Sequence, residues 1–508
     1  MAEKFYITAA IPYVNSRPHL GHALELVQAD VVARWARLAG REVYFLSGAD
    51  EHGAKIVRAA EASGKPVQEF VDENSDEFRR LIKELGISTS DFIRTSDEKR
   101  HFPGVQALWR RLDEAGDIYK KSYRGLYCVG HEAFVTQKDL VNGKCADHGA
   151  EPEVIEEENY FFRLSKYGTQ IQEAIESGGM KIYPEGRRNE ILSFIKEGLE
   201  DVSFSRPSKD ISWGIPVPGD ASQTMYVWCD ALSNYITALG FGGTNDSKFK
   251  KFWPADLQVI GKDILRFHAA IWPGMLLSAG LELPKALLVH GFIHSGGQKM
   301  SKTLGNVVDP FEIIERHGSD AVRYYLLREI PTFEDGDFTE ERFLEAYNSD
   351  LANGLGNYVS RVAKMIENYF GGELSKPSDE TLKEVPIAGS LFSDFVGKEI
   401  WPAYRREMGG FNFKFALDSV WRALKEFDGY VQTYEPFKLI KTDKEKTKAV
   451  LWNLASGALE LAWMIEPFMP DTSNKIFDIF GVAKEGGTEW GRVKVNLKEP
   501  LFPRKDQT

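Results

Sequence analysis

The stretch Phe5-Tyr6-Ile7-Thr8-Ala9-Ala10, followed by His19-Leu20-Gly21-His22, decides how this chain is read. The first six residues form a continuous apolar run of strand length. After the second histidine, Leu24, Val27, Val31, Trp35 and Leu38 recur on one helical stripe, with Gly40 as a stop. The two histidines therefore stand where a strand hands over to a helix N-terminus. Three residues apart, they share a face of the first turn. Backbone N–H groups and the helix dipole favour an anion at such a place, and Gly21 lets a ligand approach closely.

The pattern continues outward. Val43-Tyr44-Phe45-Leu46 reads as a second strand, residues 67–85 as a helix, and Asp91-Phe92-Ile93 as a third strand. A helix is expected from Ser96, its N-cap, to Ala115. Strands alternating with helices call for a parallel sheet whose ligands bind beyond the carboxyl ends of the strands. Asp50 falls at such an end. Further strands are expected at Met225-Tyr226-Val227-Trp228, at 257–260 and at 286–289. Beyond about residue 340 the strands end. Phe413, Leu417, Val420, Leu424, Phe427 and Val431 mark an amphipathic helix, and residues 449–465 another, stopped by Pro467 and Pro470.

Far downstream, Lys299-Met300-Ser301-Lys302 follows Gly296-Gly297, a turn signal. Two ammonium groups at this spacing can straddle a polyphosphate. Taken singly, a histidine pair serves structure more often than chemistry, and a Lys-x-x-Lys loop usually just faces solvent. Both together, in this order, are far rarer.

The bulk properties are permissive. A chain of 508 residues with 43% apolar content supports about two to four domains. A net charge of −12 argues against a surface that grips nucleic acid everywhere, though local basic patches remain compatible with RNA. No signal pattern or membrane-length apolar run is visible, and three cysteines make no disulfide framework, so a reducing compartment is expected. Residues 504–508 read as a frayed tail. Between 116 and 223, Cys128-Val-Gly-His131 is followed by Cys145-Ala-Asp-His148. Two C-x-x-H pairs match the ligand count of a structural zinc knuckle, while two unrelated Cys–His pairs in a loop are the plainer alternative. Cys229 reads as a small core residue.

The two signatures resemble the HIGH and KMSKS motifs of class I aminoacyl-tRNA synthetases. The flanking Ala10-Ile11-Pro12-Tyr13-Val14-Asn15, Gly48-Ala49-Asp50-Glu51-His52-Gly53, Tyr226-Val227-Trp228, Gly261-Lys262-Asp263-Ile264 and Val289-His290-Gly291 resemble the methionyl-tRNA synthetase family. The resemblance runs from about residue 5 to about residue 470. It implies an α/β fold: a Rossmann-like parallel-sheet catalytic domain split by a zinc-knuckle insertion, followed by an α-helical bundle. In domains, 1–115 would be the first catalytic half, 116–223 the connective insertion, 224–325 the second half, 326–350 a stem-contact linker with the KMSK-type loop just before it, and 351–508 the helical anticodon-binding domain.

The implied activity is methionine–tRNA ligation using ATP with Mg²⁺. By resemblance, His19, His22, Lys299 and Lys302 are catalytic. Gly21, Gly261, Asp263, His290, Gly291, Met300 and Ser301 lie near ATP. Asp50 and the backbone of Ile11 hold the methionine ammonium. Tyr13, Trp228, Ala231, Leu232, Tyr235, Ile264 and His268 wall its side chain, and aromatic walls suit a polarizable thioether. Cys128, His131, Cys145 and His148 would hold one structural Zn²⁺. Asn357, Arg361 and Phe437 would read the anticodon. Phe437 stands where the family often has tryptophan. Expected partners are methionine and both initiator and elongator methionine tRNA, with no membrane. A cytoplasmic monomer is expected. Three rivals fit less well. A branched-chain class I synthetase would need a longer editing insertion, a small-molecule nucleotidylyltransferase would not need the helical tail, and a non-catalytic tRNA-binding module would not need both signatures intact.

Overall fold

The computed structural model describes residues 3–129, 133–135, 140–146, 149–300, 306–484 and 490–505. Two compact units divide the chain, residues 1–291 and residues 292–508.

The first unit is built on six parallel strands: β1 (Lys4–Ala9), β2 (Glu42–Ala49), β3 (Asp91–Arg94), β4 (Lys181–Tyr183), β5 (Leu257–Gly261) and β6 (Ala286–His290). Their order across the sheet is β3-β2-β1-β5-β6-β4. Ile7 pairs with Leu257 on one side and Phe45 on the other. The strand order reverses between β1 and β5, and a crevice opens at such a switch point. Helix α1 (Leu20–Leu38) follows β1 and packs on β1, β2 and β5. Its Leu24, Val27 and Val31 are buried as the sequence stripe requires, and each contributes roughly 1.5–3 kcal/mol. On the opposite sheet face Tyr6, Leu46, Ile260 and Leu287 join Trp109, Phe162 and Trp272 in one core.

Gly48 in β2 fixes a close approach. A Cβ there would lie 2.3 Å from the Ile93 carbonyl and 2.8 Å from Ile11, so only glycine lets β3 and the loop after β1 close on β2.

Several expectations need correction. The helix expected from Ser96 begins at Phe102. The Ser96 hydroxyl donates to Glu51, and the Asp97 carboxylate accepts from the N–H groups of Lys99 and Arg100. That local turn competes with the helix. Met225–Trp228 is not a strand of the parallel sheet. Asp220–Met225 pairs antiparallel with Ser205–Pro207, and a helix, Val227–Leu232, starts at once. The stretch 116–223 is not wholly an insertion, because β4 lies within it and forms the sheet edge beside β6. The strip 292–325 belongs with the second unit, where Ile293–Ser295 pairs with Gly336–Phe338.

In the second unit the helices Asn357–Phe370, Phe413–Tyr434, Lys444–Ile465 and Pro470–Phe480 make the bundle. All six residues of the stripe from Phe413 to Val431 are buried. A strand pair, Glu373–Ser375 with Arg492–Lys494, survives beyond residue 340. The tail is not frayed at Lys505, whose backbone exchanges two hydrogen bonds with the Asn348 amide, 2.8 and 3.0 Å. Residues 506–508 lie outside the described residues.

Candidate active site

The carboxyl edge of the first unit's sheet gathers the site. His19 is the N-cap of α1, not a residue of its first turn. Its Nδ1 accepts the Gly21 N–H at 3.1 Å, and the Nδ1 of His22 accepts the His19 N–H at 3.1 Å. This is a capping box made of two imidazoles. The rings stack with centroids 3.9 Å apart. Burial, with the neighbouring His19 ring, pushes the His22 pKa well below the ordinary imidazole range, so it is neutral. With each Nδ1 accepting, the donor nitrogen of each ring is Nε2. The side-chain donors of this histidine pair are thus the Nε2–H edges. Of the backbone N–H groups at this helix start, that of Gly21 is already taken by His19.

Asp50 follows β2. Its N–H donates to Pro12 at 2.9 Å and its carbonyl accepts from Val14 at 3.0 Å, which sets Tyr13 beside it. Asp50 is buried, with Ile11 and Tyr13 partly so. The next residue, Glu51, is fully buried and fastened by Ser75, Ser96 and Arg94.

Trp228, Ala231 and Leu232 come from the helix Val227–Leu232, and Tyr235 from the helix that follows. The Trp228 ring stacks on Phe267 at 3.8 Å and meets His268 edge-on at 6.4 Å. Sequence reasoning missed Phe267, which no spacing would single out. His268 donates from Nδ1 to the Ile264 carbonyl at 3.0 Å, and its Nε2 accepts the Tyr235 hydroxyl at 2.7 Å. Burial drives its pKa down to about 4. Tyr235 is fixed in turn, since its carbonyl accepts the Tyr6 hydroxyl at 2.7 Å. The wall is thus aromatic, uncharged and hydrogen-bonded into one arrangement. It suits an apolar, polarizable side chain.

Gly261 ends β5, where a Cβ would lie 2.7 Å from the Asp263 carboxylate; Asp263 itself is exposed. His290 ends β6. It donates from Nδ1 to the Gly291 carbonyl at 2.7 Å, and its Nε2 meets Glu25 at 3.0 Å. Burial opposes its charged form, but the Glu25 carboxylate prevails and raises its pKa. Glu25 escaped sequence reasoning too, although it stands one turn after His22 on α1.

In the second unit Gly296 and Gly297 both take positive φ, 60° and 77°, and close a tight hairpin in which Lys299 pairs with His294. Met300 ends the described stretch; Ser301 and Lys302 lie outside the described residues. Asn357 opens its helix and is exposed, while Arg361, one turn on, is ion-paired with Asp428. Phe437 is 44% exposed.

Of the four metal candidates, Cys128 and Cys145 come together with Val135 in a small buried cluster. Cys145 lies on a hairpin turned by Asn142 and Gly143, both at positive φ. His131 and His148 lie outside the described residues.

Comparisons with known proteins identify the family. The profile of the tRNA synthetases class I (M) matches residues 5–145 and 135–363. A methionine–tRNA ligase of Caldanaerobacter subterraneus subsp. tengcongensis is 44% identical, covering 100% of this chain and 80% of its own. One from Rhizobium meliloti is 43% identical and covers 98% of each. The structure of Mycobacterium tuberculosis methionyl-tRNA synthetase in complex with methionyl-adenylate superposes with a TM-score of 0.92 at 38% identity, over 99% of this chain and 100% of that one. A likeness this close along the entire chain places it: it belongs to the methionyl-tRNA synthetase family of class I tRNA synthetases.

Proposed function

We infer that the chain is a methionine–tRNA ligase. It activates methionine with ATP to methionyl-adenylate, releasing pyrophosphate, and transfers the methionyl group to the 3′-terminal adenosine of its tRNA. The observation that carries this reading is the stacked pair of backbone-anchored imidazoles at the sheet's switch point, in the same unit as a neutral aromatic pocket.

Adenylation asks the protein for alignment and for charge stabilisation at the α-phosphate. The Nε2–H groups of His19 and His22 donate to ATP phosphate oxygens. Lys299 and Lys302 neutralise charge on the transition state and the departing pyrophosphate. Mg²⁺ would arrive bound to the ATP phosphates, so no protein cage is required. Gly21, Gly261, Asp263, His290, Gly291, Met300 and Ser301 receive the nucleotide. Asp50 accepts from the methionine ammonium with the backbone of Ile11. Tyr13, Trp228, Ala231, Leu232, Tyr235, Ile264 and His268 enclose the side chain. Asn357, Arg361 and Phe437 meet the anticodon of initiator and elongator tRNA.

Amino-acid-dependent ATP–pyrophosphate exchange, run with each of the twenty amino acids, tests the reading. Exchange with methionine alone is expected. Exchange with a different amino acid would overturn the pocket, and none with any would overturn the adenylation site.

Two cysteines in one buried cluster beside a tight hairpin fit a structural zinc, held by Cys128, His131, Cys145 and His148. Such a metal, with all four positions filled by protein, would fasten the insertion rather than act on substrate. Metal analysis should find one zinc per chain, and a value well below one refutes the site. Among the described residues no helix is long and apolar enough to cross a membrane. The protein works as a cytoplasmic monomer, which sedimentation of the purified chain would check.

A further inference from the structure

Close in sequence to the candidate pocket residues lies a buried polar cluster that none of the roles above uses. Asp230 is 1% exposed, and both of its oxygens accept from imidazoles: Oδ2 from Nδ1–H of His52 at 2.6 Å, Oδ1 from Nε2–H of His101 at 2.6 Å. The other nitrogen of His101 meets the Thr237 hydroxyl at 2.7 Å. His52, His101 and Thr237 are themselves 3%, 0% and 2% exposed. The His52 ring is set edge-on between Phe102 and Trp213, at 5.8 and 5.7 Å.

Burying a carboxylate is costly unless it is paired and fully hydrogen-bonded. Here burial alone would raise the Asp230 pKa, yet the two imidazoles hold it below the ordinary carboxylate range. The places this charge joins are informative. His52 stands two residues after Asp50, which takes the ammonium end of the amino acid. Asp230 itself lies between Trp228 and Ala231, which take the other end, and Thr237 stands two residues after Tyr235. One carboxylate thus ties the segment holding the ammonium acceptor to the two helices that carry the side-chain wall.

We propose that Asp230 is a positioning residue for methionine: through His52 and His101 it sets the spacing between Asp50 and the wall made by Trp228, Ala231, Leu232 and Tyr235. The proposal rests on the pocket reading given above. A carboxylate is required because it alone offers two acceptors of this size. An amide offers one, and turns an N–H toward the second imidazole.

The experiment is steady-state pyrophosphate exchange, with methionine and ATP varied separately. In Asp230→Asn the KM for methionine should rise tenfold or more, with kcat changed less than threefold and the KM for ATP unmoved. His52→Ala should show the same split. His52→Asn, whose amide nitrogen occupies the place of Nδ1, should stay within threefold of the unaltered protein, and this pair carries the test should Asp230→Asn fail to fold. A methionine KM within twofold of normal in folded Asp230→Asn or His52→Ala overturns the proposal, as does an equal rise in the KM for ATP, or a fall in kcat alone. Absence of methionine-dependent exchange in the unaltered protein would overturn the functional reading and this proposal together.

Discussion

His268 shows how much a single side chain can be asked to do. It is buried, neutral and committed at both nitrogens, to the Ile264 carbonyl and the Tyr235 hydroxyl. Its pKa of about 4 lies well below the usual value of about 6.5. The unfolded chain therefore takes up a proton at this residue from about pH 6.5 downward, while the folded chain does not until about pH 4. The stability it contributes is whole above pH 6.5 and is lost as pH falls through that window, about 3 kcal/mol in all. Urea unfolding at pH 7 and pH 4.5 should show this loss in the unaltered protein, and less of it in His268→Asn. A variant as acid-sensitive as its parent would show that His268 is not the group titrating. The resemblance alone named His268 and Tyr235 as pocket residues; read by residue type, Tyr235 is a core aromatic. Their hydrogen bond was not legible, because it joins positions 33 residues apart through a fold that had first to form. Glu25 was invisible for the same reason, since its partner His290 lies 265 residues away.

At the scale of elements, α1 carries two tasks on one turn. Its N-terminus is closed by the same imidazoles that are proposed to meet ATP. The tasks separate by substitution. Asparagine is among the best N-cap residues, so His19→Asn keeps an acceptor for the first turn but removes the Nε2–H edge. Its stability should stay within about 0.5 kcal/mol of normal, whereas pyrophosphate exchange should fall by about 10²–10³-fold, as when one transition-state donor is lost. Thermal melting beside kinetics measures both; equal stability with undiminished exchange would remove His19 from catalysis. Elements with strong periodicity were legible: β1, α1, β2, β5, β6 and the helix Phe413–Tyr434 all lie where the pattern put them. Misread elements were short ones ruled by side-chain competition. Ser96 resembled an N-cap until Glu51 claimed its hydroxyl. Met225–Trp228 is too short for apolar content to tell a strand end from a helix start.

Across the whole molecule, the candidate amino-acid pocket and the candidate anticodon residues belong to different units, 1–291 and 292–508. Phe437→Ala should therefore lower kcat/KM for tRNA in aminoacylation by about 5- to 150-fold, the worth of one stacked base at about 1–3 kcal/mol, and leave methionine-dependent exchange unaltered. Equal aminoacylation of tRNA by both proteins would strike Phe437 from the interface. Architecture was only partly legible at this scale. The sequence shows where texture changes, at 116 and 223, but not that the chain returns in between to lay β4 beside β6. Three residues of strand carry no periodicity to read.

The strand order also has a consequence for synthesis. The two central strands are the most distant in time, since the Tyr6 N–H waits for the Asp256 carboxylate, 250 residues later. At about 5–20 residues per second, a ribosome takes roughly 10–50 s to deliver that partner. Throughout that interval one edge of β1 is bare and apolar on the nascent chain. The enzyme that is proposed to charge tRNA with methionine would thus be, while it is being translated, a client for whatever shields unpaired strands in the cell.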